Sequence, residues 1–302
     1  MIIRTFGRRD NMTIGIIGLG SVGSVFAVEF QKKGATVKGY DVRVNDREMQ
    51  NYFVALREKH VNICASIEQL VTGCDCILSL TNSTVAVDVA RQCNHFLVPD
   101  QFYVDMNSCV PASMEEIDSF IKCKFIDGMT LFSNPEKGLE SECYFSGQYA
   151  KEAGAILAKY GLNVVCVGSK AGQASACKVL RSIFTKSFEA AIMESLTSSY
   201  YYGVYNFMID SICKFLSQDI LNTVDFVIRS NVVHAARRAH EVGDVSEMIA
   251  EAGLDNTMSC AAADKLRSLS LLDRKGALTH ELAKDKESAI KDTLNSYLNK
   301  RN

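Results

Sequence analysis

The chain of 302 residues contains no tryptophan and only 3 prolines, and it lacks an excess of charge of either sign. Its 33 lysines and arginines nearly balance 35 aspartates and glutamates, which leaves a formal net charge of −2. Proteins that bind nucleic acid or an anionic membrane surface present a basic field, so the balance argues against both partners. The low proline content and the hydrophobic fraction of 47% predict a compact, folded chain that tolerates long helices.

Patterns for metal ligation, disulfides and membrane insertion are also missing. The five histidines show no ligand spacing, and the C-x-C pair of Cys74 and Cys76 has no second pair to complete a zinc site. The 11 cysteines are scattered and odd in number, which predicts reduced thiols. The longest charge-free run, residues 11–28, contains four glycines and follows no cleavable signal. We therefore expect no metal, no membrane span and a cytoplasmic location.

Short β-branched runs alternate with helical stretches up to about residue 168, and only helical spacing follows. The candidate strands are residues 14–18, 35–40, 75–80, 102–105, 124–127, 143–146 and 163–167. The later candidate helices are residues 174–199, 205–215, 223–240, 245–252 and 256–268. This order predicts an α/β fold with a doubly wound, mostly parallel sheet, then an all-α domain. We expect a flexible leader over 1–11, an α/β domain over 12–168 and a helical domain over 169–302.

A glycine-rich motif, Gly-Leu-Gly-Ser-Val-Gly, lies between the first apolar strand and the first helix. In that context G-x-G-x-x-G is the fingerprint of a Rossmann-type dinucleotide-binding domain. Gly18 would allow the tight turn, Gly20 the approach of backbone to the pyrophosphate, and Gly23 the packing of helix on strand. The residues expected to hold the cofactor here are Gly18, Leu19, Gly20, Ser21, Val22 and Gly23.

Asp41 ends the second strand, near the roughly 20-residue offset at which an acidic side chain accepts hydrogen bonds from the adenosine ribose. Arg43 and Arg47 follow and could instead pair with a 2′-phosphate. NAD is therefore favoured, and NADP stays open. Leu80 and Thr81 end another strand and are expected near the nicotinamide ribose.

Residues 15–23 (Gly-Ile-Ile-Gly-Leu-Gly-Ser-Val-Gly), 103–108 (Tyr-Val-Asp-Met-Asn-Ser) and 172–178 (Gly-Gln-Ala-Ser-Ala-Cys-Lys) together resemble motifs of the β-hydroxyacid dehydrogenase family. This family includes 3-hydroxyisobutyrate and 6-phosphogluconate dehydrogenases. The C-terminal part most resembles a phosphogluconate-dehydrogenase-like subgroup. The resemblance covers essentially the whole chain, and it implies an NAD(P)-dependent oxidoreductase, a small 3-hydroxy acid as substrate and a homodimer.

The resemblance also implies the site residues. Lys178 matches the catalytic lysine, and its place near a helix start, where the dipole and desolvation favour a neutral amine, suits a general acid or base. Asn107 and Ser108 follow a strand at the carboxyl edge of the sheet, where they could bind the substrate. Ser182, one helical turn after Lys178, and Arg237, reaching in from a partner subunit, are further candidates for substrate binding.

Two departures from the family pattern keep other functions open. Ser182 stands where the family usually has asparagine, and residues 127–133 (Asp-Gly-Met-Thr-Leu-Phe-Ser) lack the family's glycine pair. The substrate is therefore expected to differ from 3-hydroxyisobutyrate and 6-phosphogluconate. An imine reductase and a non-enzymatic nucleotide-sensing protein are the alternatives.

Overall fold

A computed structural model describes residues 11–130 and 135–271, with the single helical residues 291, 294, 295 and 298. The chain forms two compact units, Met1–Ser182 and Ile183–Asn302. Most of the predicted leader, and residues 131–133 of the segment without the glycine pair, lie outside the described residues. The predicted boundary at residues 168/169 follows the change of secondary structure, whereas the units divide later, inside a helix. The assignment of cofactor binding to the first domain, and of substrate binding and dimerisation to the second, stays a prediction.

The first unit is built on an eight-stranded sheet, which confirms the predicted α/β fold. Its strands are β1 Thr13–Ile17, β2 Thr36–Tyr40, β3 Asn62–Ile63, β4 Cys76–Ser79, β5 Phe102–Asp105, β6 Lys124–Thr130, β7 Cys143–Ser146 and β8 Val164–Gly168. They are ordered β3-β2-β1-β4-β5-β6-β7-β8. Only β6 and β7 pair antiparallel in the described sheet. The polypeptide reverses strand order beside β1, so the carboxyl ends of β1 and β4 flank the crevice where such sheets bind ligands.

Helices cover both faces of this sheet. They are α1 Gly23–Lys32, α2 Gln50–Glu58, α3 Ile67–Val71, α4 Ala86–Asn94, α5 Pro111–Phe120 and α6 Ala150–Ala158. Because successive strand residues point to opposite faces, Ile16 and Leu78 join one buried cluster while Ile17 and Ile77 join another. A strand buried on both faces reads as a continuous apolar run, which is why β1 and β4 were recognisable in the sequence.

Only helices are described in the second unit, and α7 runs into it from the first: α7 Gln173–Tyr201, α8 Tyr205–Leu216, α9 Ile220–Glu251 and α10 Thr257–Leu271. The prediction of two helices over 223–240 and 245–252 is wrong, because both lie in α9. A glycine inside a helix costs about 1 kcal/mol relative to alanine but removes no backbone hydrogen bond, so Gly243 does not end α9. Asn256, just before α10, donates to the carbonyl and hydroxyl of Ser246 in α9 and fixes the two helices together.

Among the described helices, none is both long enough and apolar enough to cross a membrane.

Candidate cofactor and active site

The glycine-rich turn has the backbone geometry that its sequence predicts. Gly18 has a φ of +88°, and a Cβ atom there would overlap the carbonyl of Leu80. A Cβ atom on Gly23 would overlap the carbonyl of Gly18. The turn therefore closes only with glycine at both positions, and it brings the end of β4 against the end of β1.

Gly20 differs from these two glycines, because a Cβ atom there would meet no described atom within 4 Å. Its φ is not in the positive region that disfavours other residues. The space over Gly20 adjoins the N-terminus of α1, where N–H groups and the helix dipole favour phosphate. The turn thus fits the pyrophosphate of a dinucleotide.

Asp41 is 6% exposed and holds the turn and Arg43 together. Its Oδ2 accepts hydrogen bonds from the N–H of Leu19 (3.0 Å) and from Arg43 Nη2 (3.0 Å). Its Oδ1 accepts from the N–H and the Nε of Arg43, at 3.0 and 2.9 Å. Burial opposes ionisation of Asp41, but the hydrogen bonds from Arg43 and Leu19 outweigh it and lower its pKa.

The bond between Asp41 and Arg43 was missed by the sequence reasoning, which treated the two residues as alternatives. A carboxylate offers about four lone-pair positions, and all four are used here. A ribose hydroxyl can therefore reach Asp41 only by displacing one of these bonds. The side chain of Arg43 remains 44% exposed and keeps guanidinium N–H groups beyond those that bind Asp41.

The ends of β4 and β5 meet through Asn107, which is 4% exposed. Asn107 Nδ2 donates to Ser79 Oγ (3.0 Å) and Asp105 Oδ1 (2.9 Å), and its Oδ1 accepts from Thr81 Oγ1 (3.3 Å). Ser108, the next residue, is exposed. Thr81 and Asn107 are therefore brought together, and Asn107 keeps one lone pair on Oδ1 for another donor.

Lys178 lies in the second turn of α7 and is partly buried. Its Nζ donates to the carbonyl of Thr130, at the end of β6, over 3.3 Å. Desolvation lowers the pKa of Lys178, and the nearby thiols of Cys109 and Cys143 oppose this shift. The amine therefore lies close to Cys109, two residues after Asn107, and is biased toward the neutral form.

The other two predicted substrate-binding residues have partners on their own helices. Ser182 is exposed, and its Oγ donates to the carbonyl of Lys178 over 3.1 Å. Arg237 belongs to the second unit, where its exposed side chain forms an ion pair with Glu241. Their roles toward a substrate stay predictions.

A row of four buried polar residues crosses the sheet at the carboxyl edge, and the sequence reasoning missed it. The strand register pairs Ser79 with Asp105, Asp105 with Asp127, and Asp127 with Ser146. All four are 0% exposed. A polar residue near the end of an apolar strand is the signal that each gives in the sequence. We call this set, Ser79, Asp105, Asp127 and Ser146, the polar row.

The described residues contain no group of three or more histidine, cysteine or acidic side chains that could hold a metal ion.

The match with known families agrees with this geometry. Residues 13–129 match the NAD-binding domain of 6-phosphogluconate dehydrogenase, and residues 200–269 match a domain of unknown function, DUF1932. With the fold and the open glycine turn, this defines an NAD(P)-dependent oxidoreductase, with NAD as the cofactor of the matched domain.

Three similar proteins extend the comparison over most of the chain. An uncharacterized 28.5 kDa protein in the 7S RNA 5′ region of Methanothermus fervidus is 26% identical over 79% of this chain and 91% of its own length. The conserved protein MTH1747, whose structure reveals similarity with 3-hydroxyacid dehydrogenases, is 28% identical with a TM-score of 0.59, covering 86% of this chain and 98% of its own. An imine reductase variant from Myxococcus stipitatus, in complex with NAD⁺, shares the fold at 16% identity and a TM-score of 0.71, covering 85% and 93%. Together these matches support the predicted resemblance to a β-hydroxyacid dehydrogenase-like family.

Proposed function

We propose that the protein transfers a hydride between a nicotinamide cofactor and a small 3-hydroxy acid or its keto form, with Lys178 as general acid and base. The observation that carries this proposal is the amine of Lys178, partly desolvated at the carboxyl edge of the sheet. The relationship to MTH1747, with its structural similarity to 3-hydroxyacid dehydrogenases, supports the substrate class.

Oxidation of an alcohol removes a hydride from carbon and a proton from oxygen. Nicotinamide, when bound, supplies the hydride acceptor. The proton needs a base that is neutral near the working pH, and burial biases Lys178 toward this form. In the reverse direction the ammonium of Lys178 gives a proton to the oxyanion of the reduced ketone.

Binding of an acidic substrate is proposed to involve polar side chains near the carboxyl edge of the sheet. Asn107 offers a free lone pair on Oδ1 to a hydroxyl, and the exposed hydroxyl of Ser108 can donate to a carboxylate. Ser182 and Arg237 are proposed as additional contacts, with Arg237 supplied by the partner of a homodimer. A guanidinium is suited to a carboxylate because it can form two parallel hydrogen bonds with it.

The homodimer is proposed on the apolar surface of the second unit. Large exposed apolar patches on a protein surface commonly mark interfaces. The exposed side chains in question include Met193, Phe207, Phe215, Ile220, Leu221 and Phe226. We further propose a cytoplasmic location, which suits 11 cysteines that are all free.

An imine reductase is the second candidate, because the fold likeness to the Myxococcus stipitatus protein has a TM-score of 0.71. One assay tests both the dehydrogenase and the imine reductase proposals. The purified protein is mixed with NAD⁺ or NADP⁺ and a panel of 3-hydroxy acids, or with the reduced cofactors and keto acids or imines, and nicotinamide absorbance is followed.

We expect turnover with at least one 3-hydroxy acid, and loss of at least about 100-fold in kcat in Lys178→Met with cofactor affinity nearly unchanged. The control is Lys186→Met, two turns further along α7, where the side chain is 78% exposed and pairs only with Glu189 among the described ion pairs. Turnover of imines alone would replace the main proposal by the second candidate. If the protein binds cofactor but never oxidises or reduces it, both enzymatic proposals fail and a nucleotide-sensing function takes their place.

A further inference from the structure

The first turn of α7 is held by a residue that precedes it by more than 40 positions in the sequence. The N–H groups of Gly172 and Ser175 both donate to Asp127 Oδ2, at 2.9 and 3.1 Å. The hydroxyl of Ser175 donates to Asp127 Oδ1 over 2.6 Å. The first N–H groups of a helix have no partner within the helix, so a carboxylate from the sheet replaces the usual local cap.

Ser146 completes this attachment from the other side. Its Oγ donates to Asp127 Oδ2 (2.9 Å) and accepts from the N–H of Ala174 (2.9 Å). Asp127 thus accepts four hydrogen bonds, and every partner is a donor, which is the arrangement of an ionised carboxylate. Burial raises the pKa of Asp127, and the hydrogen bonds from Ser175, Ser146 and Gly172 oppose that shift.

The same strand also receives the side chain of Lys178. Asp127 and Thr130 both belong to β6, and Lys178 follows Ser175 by one helical turn. Asp127 binds the helix backbone, and the carbonyl of Thr130 binds the amine. Two attachments on one strand fix both the position of the helix start and the direction of the side chain that it carries.

We propose that Asp127 is the positioning residue of this site: through Gly172, Ser175 and Ser146 it fixes the start of α7 so that the amine of Lys178 is held at the end of β6. The proposal deepens the proposed function and rests on it for its catalytic meaning. Asp127 is proposed to act without touching a reacting atom. Its effect passes through the backbone of α7, and a misplacement of about 1 Å in a reacting group lowers rates by roughly 100-fold.

The test compares two variants that loosen this attachment. Asp127→Asn replaces one of the two acceptor oxygens by an NH2 group, so the acceptor is lost either for the one bond at Oδ1 or for the three bonds at Oδ2. Ser175→Ala is milder, because it removes only the 2.6 Å hydroxyl bond and keeps the carboxylate and the backbone bonds. The control is Gln101→Leu, which breaks two buried hydrogen bonds, to the carbonyls of Val71 (2.9 Å) and Cys74 (2.8 Å), just before β5 starts.

The first readout needs no activity. Acetylation of Lys178 by acetic anhydride is followed by mass spectrometry as a function of pH, in the full-length protein. We expect the midpoint to move upward, toward the ordinary lysine value of 10.5, in both variants and not in Gln101→Leu. The thiols of Cys109 and Cys143, which oppose the lowered pKa of Lys178, are unchanged in all three proteins.

The second readout is the split between kcat and KM. We expect kcat to fall by about 10- to 100-fold in Asp127→Asn, and by less in Ser175→Ala, with the KM for cofactor within about twofold of the parent. A folded variant whose acetylation midpoint and kcat both match Gln101→Leu would overturn the proposal. If Asp127→Asn does not fold, Ser175→Ala decides the question alone. A parent protein without turnover would end the proposed function, while the acetylation midpoints would still decide how α7 is held.

Discussion

Gly20→Ala separates the role of the glycine turn in folding from its role in cofactor binding. Alanine fits at this position in the free protein, because its Cβ atom meets no described atom within 4 Å and the backbone is outside the positive-φ region. The same methyl group would point into the space that we assign to the pyrophosphate. We therefore expect a protein that folds normally and binds its cofactor poorly.

The substitution should change both the stability of the protein and its affinity for the cofactor. Replacing glycine by alanine without strain removes freedom from the unfolded chain, so unfolding should become harder by about 0.4 to 1 kcal/mol. A methyl group forced into a packed contact costs about 1 to 3 kcal/mol, which corresponds to roughly 5- to 150-fold weaker cofactor binding. Gly23→Ala contrasts with this, because overlap with the carbonyl of Gly18 would damage the turn even without cofactor.

The assay pairs thermal unfolding with calorimetric titration of NAD and NADP. The control is Gly243→Ala in α9, where an added Cβ atom also meets no described atom within 4 Å. It should gain stability and keep both affinities. If Gly20→Ala keeps the parent's cofactor affinity, the pyrophosphate does not lie over Gly20 and the assignment of the turn is wrong.

Two other measurements follow from buried carboxyl groups. Asp41→Ala should weaken NAD more than NADP in the same titration, and the opposite ranking would mean that a 2′-phosphate is bound by Arg43. The pKa of Asp105 is raised to about 6, mainly by burial, from an ordinary value of 3.8. The folded protein therefore holds the proton of Asp105 more tightly than the unfolded chain does. The free energy of unfolding is highest below about pH 4 and falls by up to about 3 kcal/mol as the pH rises through 6. Chemical unfolding between pH 4 and 8 should show this loss in the parent and not in Asp105→Asn, and equal slopes would show that Asp105 does not titrate there.

The sheet could be predicted because its strands carry strong local signals. β1 and β4 are short apolar runs next to glycine turns, and the fingerprint at residues 18–23 fixes the direction of the first crossover. β3 gave no such signal, since it contains only two residues. The undivided α9 was also missed, because a single glycine and its polar neighbours look like a helix end when the packing against α10 is unknown.

The site was only partly readable for a different reason. Lys178, Asn107 and the glycine turn belong to contiguous motifs, which a sequence displays directly. The polar row depends on which strands are neighbours, and the order of strands is not written in any local pattern. The attachment of α7 to Asp127 joins residues 45 to 48 positions apart and is visible only once β6 and α7 have been placed.

The hydrogen bonds of the buried acids also explain why an amine, and not a carboxylate, is proposed as the base. Asp41 accepts two hydrogen bonds at each oxygen and has no lone pair left for a substrate proton. Asp127 accepts three at Oδ2 and one at Oδ1, and it is 0% exposed, so it cannot touch a substrate. Asp105 keeps Oδ2 without a partner among the described atoms, but it is 0% exposed and cannot touch a substrate. Lys178 has one long bond to a carbonyl, partial exposure and a pKa lowered by desolvation. Among these four groups, only the amine of Lys178 combines partial exposure with a pKa lowered by desolvation, which is the reason for proposing it as the base.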